Sequence, residues 1–392
     1  MTNAATIRVS GSTFNMTWKY RADHVGSLLR PPDLLEARKN PATTPEQLRQ
    51  IEDRHIERVL QRQKDAGFRI FTDGEFRRAG FMSDFNDSVE GLDNDEAIGR
   101  DWKIAASNES GLAGRKDRLA GVVIAKIRQK KRLTAHEVPF LKQHAPGDIK
   151  VTLPTPNQFP AIAYKKGLSD RAYGSYSEFL WDIVPIFKAE MQALAGEGVQ
   201  YIQIDAPRYS YFIDPKWRRY VVEQMGVDAE QALDEAIRVD NTCIAGARAG
   251  AKENGPLVAI HLCRGNNRSQ WYAEGGYDPI AEKLFHELNV DAFLLEYDSG
   301  RAGTFEPLRF VPRGKTVVLG LVSTKVPEME SSDRLRRRIE EASRYVPLEQ
   351  LALSPQCGFA SAMEGNLVTE EQQWRKLELV VETARQVWGD SI

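Results

Sequence analysis

Two cysteines and a histidine of this chain have the types and spacing of metal ligands. His261 and Cys263 are separated by one residue at the end of the run PLVAIHLCRG (256–265). In a β-strand, residues i and i+2 project from the same face, so both side chains are expected to point the same way. Cys357 ends a second apolar run, LALSPQCGF (351–359), and completes a set of two sulfurs and one imidazole.

A fourth candidate ligand is Glu296, which ends the run AFLLEYD (292–298). One His, two Cys and one Glu can close a tetrahedral zinc site. Two thiolates and a carboxylate make such a zinc electron-rich, which suits lowering the pKa of an incoming thiol better than generating hydroxide. Because a carboxylate is the most exchangeable of the four ligands, Glu296 is expected to yield its position to the thiol. The residues therefore favour alkyl transfer to a zinc-bound thiolate.

Other interpretations of the same residues stay open at this point. Cysteine is among the most buried residue types, so packing alone could explain Cys357. Cys243 lies in the helical run NTCIAGARAG and is interpreted as a small packed residue. The alternatives to thiol chemistry are a closed structural zinc site and a zinc hydrolase that activates water, and the two thiolates argue against the hydrolase.

Eight β-like runs, mostly separated by helical stretches, would have to position these residues. Polar and ionisable residues recur at the same end of nearly every run, where a barrel of parallel strands carries its active site. The β-like runs are 20–27, 68–75, 149–156, 199–207, 256–265, 292–298, 316–323 and 351–359. The helical stretches are 44–66, 176–197, 228–250, 277–288, 332–343 and 369–388.

This alternation predicts an α/β fold, a single (β/α)8 TIM barrel over residues 16–392. A doubly wound open sheet is the alternative, weakened because no Gly-rich nucleotide fingerprint follows any strand. Residues 76–147 are too long for an ordinary connection and are interpreted as an insertion between the second and third strands, a hairpin plus a helix over one barrel mouth. Residues 1–15 are expected to form a loose N-terminal arm.

The composition narrows the class of function. The chain has 392 residues, 53 Lys+Arg against 55 Asp+Glu, and a net charge of −2, so no basic excess indicates a nucleic-acid partner. Three cysteines cannot form a disulfide framework and are typical of a reducing compartment. Neither a signal peptide nor an apolar run of about 18 residues is visible, so we expect a cytoplasmic protein without membrane spans.

Seven segments, spread over nearly the whole chain, carry a family resemblance. They are RADHVGSLLRP (21–31), DGEFRR (73–78), YIQIDAP (201–207), HLCRGNNRS (261–269), FLLEYDSGRAGTFEPLR (293–309), LGLVSTKVPEME (319–330) and LALSPQCGFAS (351–361). The chain resembles the catalytic half of cobalamin-independent methionine synthase, and more closely the shorter stand-alone proteins of that superfamily, which are methyltetrahydropteroyltriglutamate–homocysteine methyltransferase-like.

The resemblance implies a (β/α)8 barrel with zinc on His261, Cys263, Glu296 and Cys357, and methyl transfer to homocysteine to give methionine. It also implies that Ser27, Glu75 and Asp205 bind the amino-acid part of the thiol substrate. Two carboxylates can hold an ammonium group, and a backbone N–H near Ser27 can hold a carboxylate.

Three departures from the family pattern put the methyl donor in doubt. The family has Asp-Glu-Pro where this chain has Asp205-Ala206-Pro207, and Lys325 stands where the family has a proton-donating histidine. The separate N-terminal half that helps to bind the folate tail has no counterpart in these residues. His24 is a candidate replacement proton donor, or alternatively a hydrogen-bonded structural residue. Lys325 is a candidate proton donor or carboxylate binder, or alternatively a solvated strand-end lysine.

The expected partners follow from this chemistry. They are a small-molecule thiol and an alkyl donor, which is either a methylated folate or a corrinoid, the latter with a corrinoid protein as partner. A thiol–epoxide transferase or a C–S lyase acting on a different thiol is the alternative function on the same site. The oligomeric state, including a homo-oligomer, is left open by the sequence.

Overall fold

The structure is a computed structural model that describes residues 18–104, 121–251 and 255–390. The predicted N-terminal arm at 1–15 lies outside these residues. The strands within them are β1 (Ile70–Phe71), β2 (Val89–Asp93), β3 (Val122–Gln129), β4 (Asp148–Pro154), β5 (Tyr201–Asp205), β6 (Leu257–Leu262), β7 (Ala292–Glu296), β8 (Thr316–Val322) and β9 (Leu351–Pro355).

Seven of these strands form one curled parallel sheet in the order β1-β4-β5-β6-β7-β8-β9. The order follows the chain without reversing, so the sheet is not doubly wound. The segment 20–28 lies between the two edge strands. Asp23 N–H donates to Leu353 O of β9 (2.9 Å), and Leu28 N–H donates to Gly74 O just beyond β1 (3.0 Å). The α/β fold and the parallel arrangement of the predicted barrel are confirmed.

The first predicted strand, 20–27, differs from the expectation. It makes a single parallel bridge, Ala22 to Leu353, and no regular ladder. Side chains bond to the backbone groups that a strand would pair: the Asp23 carboxylate accepts the His24 N–H at 2.7 Å, and Thr72 Oγ1 donates to Gly26 O at 3.0 Å. The barrel wall is therefore seven strands plus one extended segment.

Helices cover the outer face of the sheet. They are α1 (Pro32–Lys39), α2 (Pro45–Ala66), α3 (Ser83–Ser88), α4 (Val138–His144), α5 (Pro160–Ala163), α6 (Tyr176–Gly196), α7 (Pro215–Glu223), α8 (Ala229–Gly250), α9 (Ala281–Glu287), α10 (Ser332–Ala342) and α11 (Glu370–Trp388). All six predicted helical stretches are present, although α9 begins at Ala281 rather than at 277. Capping boxes on Thr44 and Thr369 fix the starts of α2 and α11.

Long apolar runs form the strands because the sheet is buried on both faces. One cluster, which includes Tyr20, Tyr201, Leu294 and Val318, fills the barrel interior, and a much larger cluster packs between the sheet and the helices. No helix within the described ranges has the length and apolarity needed to cross a bilayer.

The segment 76–147 leaves the barrel between β1 and β4. Within it, β2 and β3 pair as an antiparallel ribbon, preceded by α3 and followed by α4. The basic stretch at 114–118 falls outside the described residues. Lys103 of this segment pairs with Trp271 in the loop that follows β6. Lys103 N–H donates to Trp271 O and Trp271 N–H donates to Lys103 O, with N···O distances of 2.7 and 2.9 Å. The segment thereby reaches the end of the barrel at which the strands terminate.

Candidate metal and substrate site

Three predicted ligands meet at the carboxyl ends of two strands. His261 is on β6, Cys263 follows β6 directly, and Cys357 follows β9. The two strands are not neighbours, and the curl of the sheet brings their ends together. The ligand atoms of the three residues all lie within 4.8 Å of one another, and each residue is at most 5% exposed.

The electrostatics of this group fit a soft metal ion. Neither ring nitrogen of His261 has a hydrogen-bond partner among the described residues, although both are buried. Burial lowers the pKa of His261, but the neighbouring Cys357 thiolate and the Asp205 carboxylate outweigh it and raise the pKa. Hydrogen bonding from Cys263 holds the pKa of Cys357 well below its ordinary value. A buried imidazole without a partner beside two sulfurs is a donor set typical of Zn²⁺.

The fourth expected ligand, Glu296, is not part of this group. It is fully buried at the end of β7, where Oε1 accepts from Arg301 Nε at 2.9 Å and Oε2 accepts from the Arg264 N–H at 2.8 Å. Burial raises the pKa of Glu296, and the charges of Arg301 and Lys325 reverse this, so that its pKa is lowered. The structure thus brings together three of the four predicted ligands, and metal ligation by Glu296 stays a prediction.

Both predicted proton donors, Lys325 and His24, are buried. Lys325 Nζ donates to Gly265 O at 2.8 Å and to Asn266 Oδ1 at 3.0 Å, which fixes the loop after Cys263. His24 Nε2 lies 3.2 Å from Ile70 O, and its ring packs edge-on against Phe68. Neither residue lines the cavity described next, although the nearby charge of Lys325 contributes to the lowered pKa of Cys357 and opposes the raised pKa of Cys263.

The three predicted substrate residues line one cavity together with the metal-ligand group. This cavity, of about 490 Å³, contains Ser27, Glu75 and Asp205 on its wall with His261, Cys263 and Cys357. Its upper wall comes from the segment 79–102 and from residues 361–364, so part of the segment 76–147 lines the cavity. Gly358 lets Ser27 approach, because a Cβ on Gly358 would lie 1.9 Å from Ser27 Oγ.

Glu75 is held in an unusual conformation. Its φ is +59°, in the left-handed region that non-glycine residues seldom occupy, and its N–H donates to Asp73 Oδ1 at 2.8 Å. Its Oε1 accepts from Thr152 Oγ1 at 2.9 Å, whereas the buried Oε2 has no partner among the described residues. Backbone strain of this kind is concentrated at functional sites. One oxygen of Glu75 is thus available to a ligand.

Asp205 is positioned by residues that the sequence analysis did not single out. Gln203 Nε2 donates to Asp205 Oδ1 at 2.8 Å, and Gln203 Oε1 accepts from Lys150 Nζ at 2.9 Å. Because Lys150 fixes which end of the amide faces it, Gln203 must present its NH₂ group to Asp205. Burial raises the pKa of Asp205 to about 7. The i, i+2 spacing of Gln203 and Asp205 on β5 is the signal that would have found the amide.

Arg78 positions Glu75 through a hydrogen-bonded neighbour, much as Lys150 positions Asp205 through Gln203. It is 1% exposed, pairs with Glu137 at 2.6 Å and donates to Thr152 Oγ1 at 2.9 Å, and this hydroxyl then donates to Glu75. In the sequence, Arg78 is one of two arginines in the charged run DGEFRR. Neither residue type nor spacing indicates that it is buried.

Removal of a ligand side chain is expected to weaken metal binding. Alanine at Cys263, Cys357 or His261 should lower zinc affinity by at least about 100-fold, because each change removes one of three converging donors. Metal analysis after dialysis against a chelator of known affinity measures this. Cys243→Ser, which removes a sulfur from the core of α8, is the matched control and should bind zinc as the wild type does. Equal zinc content in all four variants would contradict the site.

The burial of His24 predicts that the protein becomes less stable at acid pH. Burial, reinforced by the charge of Lys150, lowers the pKa of His24 from 6.5 to about 4. As the pH falls, His24 is therefore protonated in the unfolded chain before it is protonated in the folded protein. The free energy of unfolding should decrease by about 3 kcal/mol between pH 6.5 and 4. Denaturant unfolding of wild type and His24→Gln over this range should show a shallower pH dependence in the variant, whereas identical slopes would contradict a neutral, buried His24.

Comparison with known proteins places the chain in a family. Residues 30–386 match the model of the cobalamin-independent synthase catalytic domain. The Bacillus subtilis (strain 168) protein YxjH is 40% identical over 379 residues, which cover 94% of this chain and 95% of that protein. The methionine synthase of Pyrococcus abyssi is 22% identical over 303 residues, covering 76% of this chain and 73% of that enzyme.

Solved structures agree on the fold. A Listeria monocytogenes protein assigned as a vitamin-B12 independent methionine synthase has 29% identity and a TM-score of 0.67, covering 94% of this chain and 98% of that one. A B12-independent methionine synthase from Shewanella sp. W3-18-1 has 22% identity and a TM-score of 0.70, covering 94% and 97%. With a family model that spans most of its length, this chain belongs to the cobalamin-independent synthase catalytic-domain family.

Proposed function

We propose that this protein transfers a methyl group to the sulfur of homocysteine and so forms methionine, with zinc held by His261, Cys263 and Cys357. The observation that carries the proposal is that these three donors share one cavity with the carboxylates of Glu75 and Asp205. Family membership and the relatives named methionine synthase support the same reaction.

A zinc ion held by these residues would supply the activation of the thiol. Zinc bound to two thiolates would lower the pKa of a substrate thiol and leave its sulfur nucleophilic. Glu296 is engaged by Arg301 and by the backbone of Arg264, so the proposal needs only the three converging ligands. This donor set also argues against the hydrolase considered above, since two thiolates make a zinc ion poorly suited to generating hydroxide.

The side chains of the cavity would position the amino-acid end of the substrate. Glu75 has one buried oxygen without a partner, and Asp205 is oriented by Gln203, so the two carboxylates are suited to bind the ammonium group. Ser27, on the same wall, is proposed to contact the substrate carboxylate. Lys325 and His24 are proposed as residues that position the surrounding loops, because Lys325 Nζ donates to Gly265 O and Asn266 Oδ1 on the cavity wall and His24 Nε2 lies beside Ile70 O.

The donor is proposed to be a methylated folate. The corrinoid donor and the corrinoid protein partner considered from the sequence are set aside, because the family is cobalamin-independent. The direct test is to incubate zinc-loaded protein with homocysteine and 5-methyltetrahydrofolate and to measure methionine by mass spectrometry. Thiol alkylation from an epoxide, or thiol release without a methyl acceptor, would instead favour the alternative transferase or lyase.

Substitution of the two carboxylates is expected to change substrate selectivity. Glu75→Gln and Asp205→Asn should each raise the KM for homocysteine by about 10-fold or more, the cost of losing a charged hydrogen bond. The KM for 4-mercaptobutanoate, which lacks the amino group, should change little. Glu364→Gln removes a carboxylate from the exposed rim of the same cavity and is the matched control. Equal effects on both thiols would contradict the assigned role.

A further inference from the structure

Two buried arginines, of which Arg100 lies on the cavity wall, have no ion-pair partner among the residues that the structure describes. Arg100 is 8% exposed and Arg208 is 3% exposed. Arg100 makes no hydrogen bond or ion pair with any described residue, and its Nη2 is buried without a partner. Of the Arg208 nitrogens, Nη2 contacts Met225 Sδ at 2.9 Å, whereas Nε and Nη1 are buried without partners in the described part of the chain.

The aromatic rings around these arginines hold them without neutralising them. The guanidinium of Arg100 lies 4.1 Å from the centre of the Tyr272 ring, and that of Arg208 lies 4.1 Å from the Tyr211 ring. Tyr272 is itself fixed, since its hydroxyl donates to Pro207 O at 2.9 Å. Cation–π contacts orient a guanidinium, but they leave its N–H groups free to donate.

The position of Arg100 connects this pair to the reaction site. Arg100 lies on the wall of the 490 Å³ cavity that holds His261 and Cys263, and also on the wall of an adjoining cavity of about 320 Å³. The two carboxylates that line the smaller cavity do not neutralise the charge of Arg100. Asp101 is 90% exposed and lies 3.3 Å from Lys216, and Glu223 is exposed. A buried guanidinium without a counter-charge is costly, and an anionic ligand removes that cost.

We propose that Arg100, backed by Arg208, is a subsite for a carboxylate or phosphate group carried by the methyl donor. The proposal rests on the methyltransferase function above and specifies the charge of its second substrate. Bound in this way, the donor would place its anionic end on the Tyr272 side of the cavity, with the rest of the molecule extending along the wall toward Cys263. Trp102, whose ring centre is 5.4 Å from that of Tyr272, supplies a further flat apolar surface on this wall.

The anion site can be tested with simple probes. Isothermal titration of zinc-loaded protein with inorganic phosphate, and separately with succinate, should show binding that weakens by about 10-fold or more in Arg100→Gln and is also weakened in Arg208→Gln. Arg219→Gln removes an exposed arginine from the smaller cavity and should remain within about twofold of wild type. The anion that binds more tightly distinguishes a phosphate from a carboxylate donor. No binding to wild type, or equal weakening by Arg219→Gln, would overturn the proposal.

A second measurement separates this subsite from the proposed function. In Arg100→Gln, the KM for 5-methyltetrahydrofolate, an anionic donor, should rise by about 10-fold or more, while alkylation of homocysteine by uncharged methyl iodide stays within about twofold of wild type. Arg100→Lys keeps the charge and should recover part of the loss, which controls for misfolding. If the wild type fails to alkylate homocysteine with either donor, the methyltransferase function is wrong, whereas anion binding still tests the subsite. Equal loss with both donors in Arg100→Gln would overturn the donor assignment.

Discussion

The central constraint of this structure is the burial of two sulfurs and one imidazole at a single point. Cys263 and His261 come from the end of β6 and Cys357 from the end of β9, with two strands between them in the sheet. A flat sheet would hold these ends far apart, whereas the curl closes the distance until all three ligand atoms lie within 4.8 Å. The site therefore depends on the curvature of the whole wall rather than on any local motif.

The carboxylates of the site depend in turn on buried cations. Lys150, inside the barrel with no exposed side-chain surface, contacts Asp23 at 2.7 Å and orients the amide of Gln203, which bonds to Asp205. Arg78 acts on Glu75 through Thr152. Glu75 and Asp205 thus each have a second residue behind them that fixes the direction of the carboxylate. Such support is what a site needs if its geometry is to be set before the substrate arrives.

Part of this site follows from sequence and part does not. The i, i+2 spacing of His261 and Cys263 and the position of Cys357 at a strand end were sufficient to predict their convergence. The same rule also selected Glu296, but an arginine five residues later and a neighbouring backbone N–H bind its carboxylate. Ion pairs of this kind depend on loop geometry, which side-chain type and spacing do not encode. For the same reason, Arg100 in the segment 76–147 gave no signal, since the absence of an ion-pair partner within the described ranges is a property of packing.

X-ray absorption spectroscopy at the zinc edge, on protein purified with zinc, tests whether His261, Cys263 and Cys357 hold the metal together. We predict one zinc per chain with two sulfur ligands and one imidazole nitrogen among its donors, and one sulfur fewer in Cys357→Ala. Zinc surrounded only by oxygen and nitrogen, or a sulfur count that does not change in Cys357→Ala, would contradict this prediction.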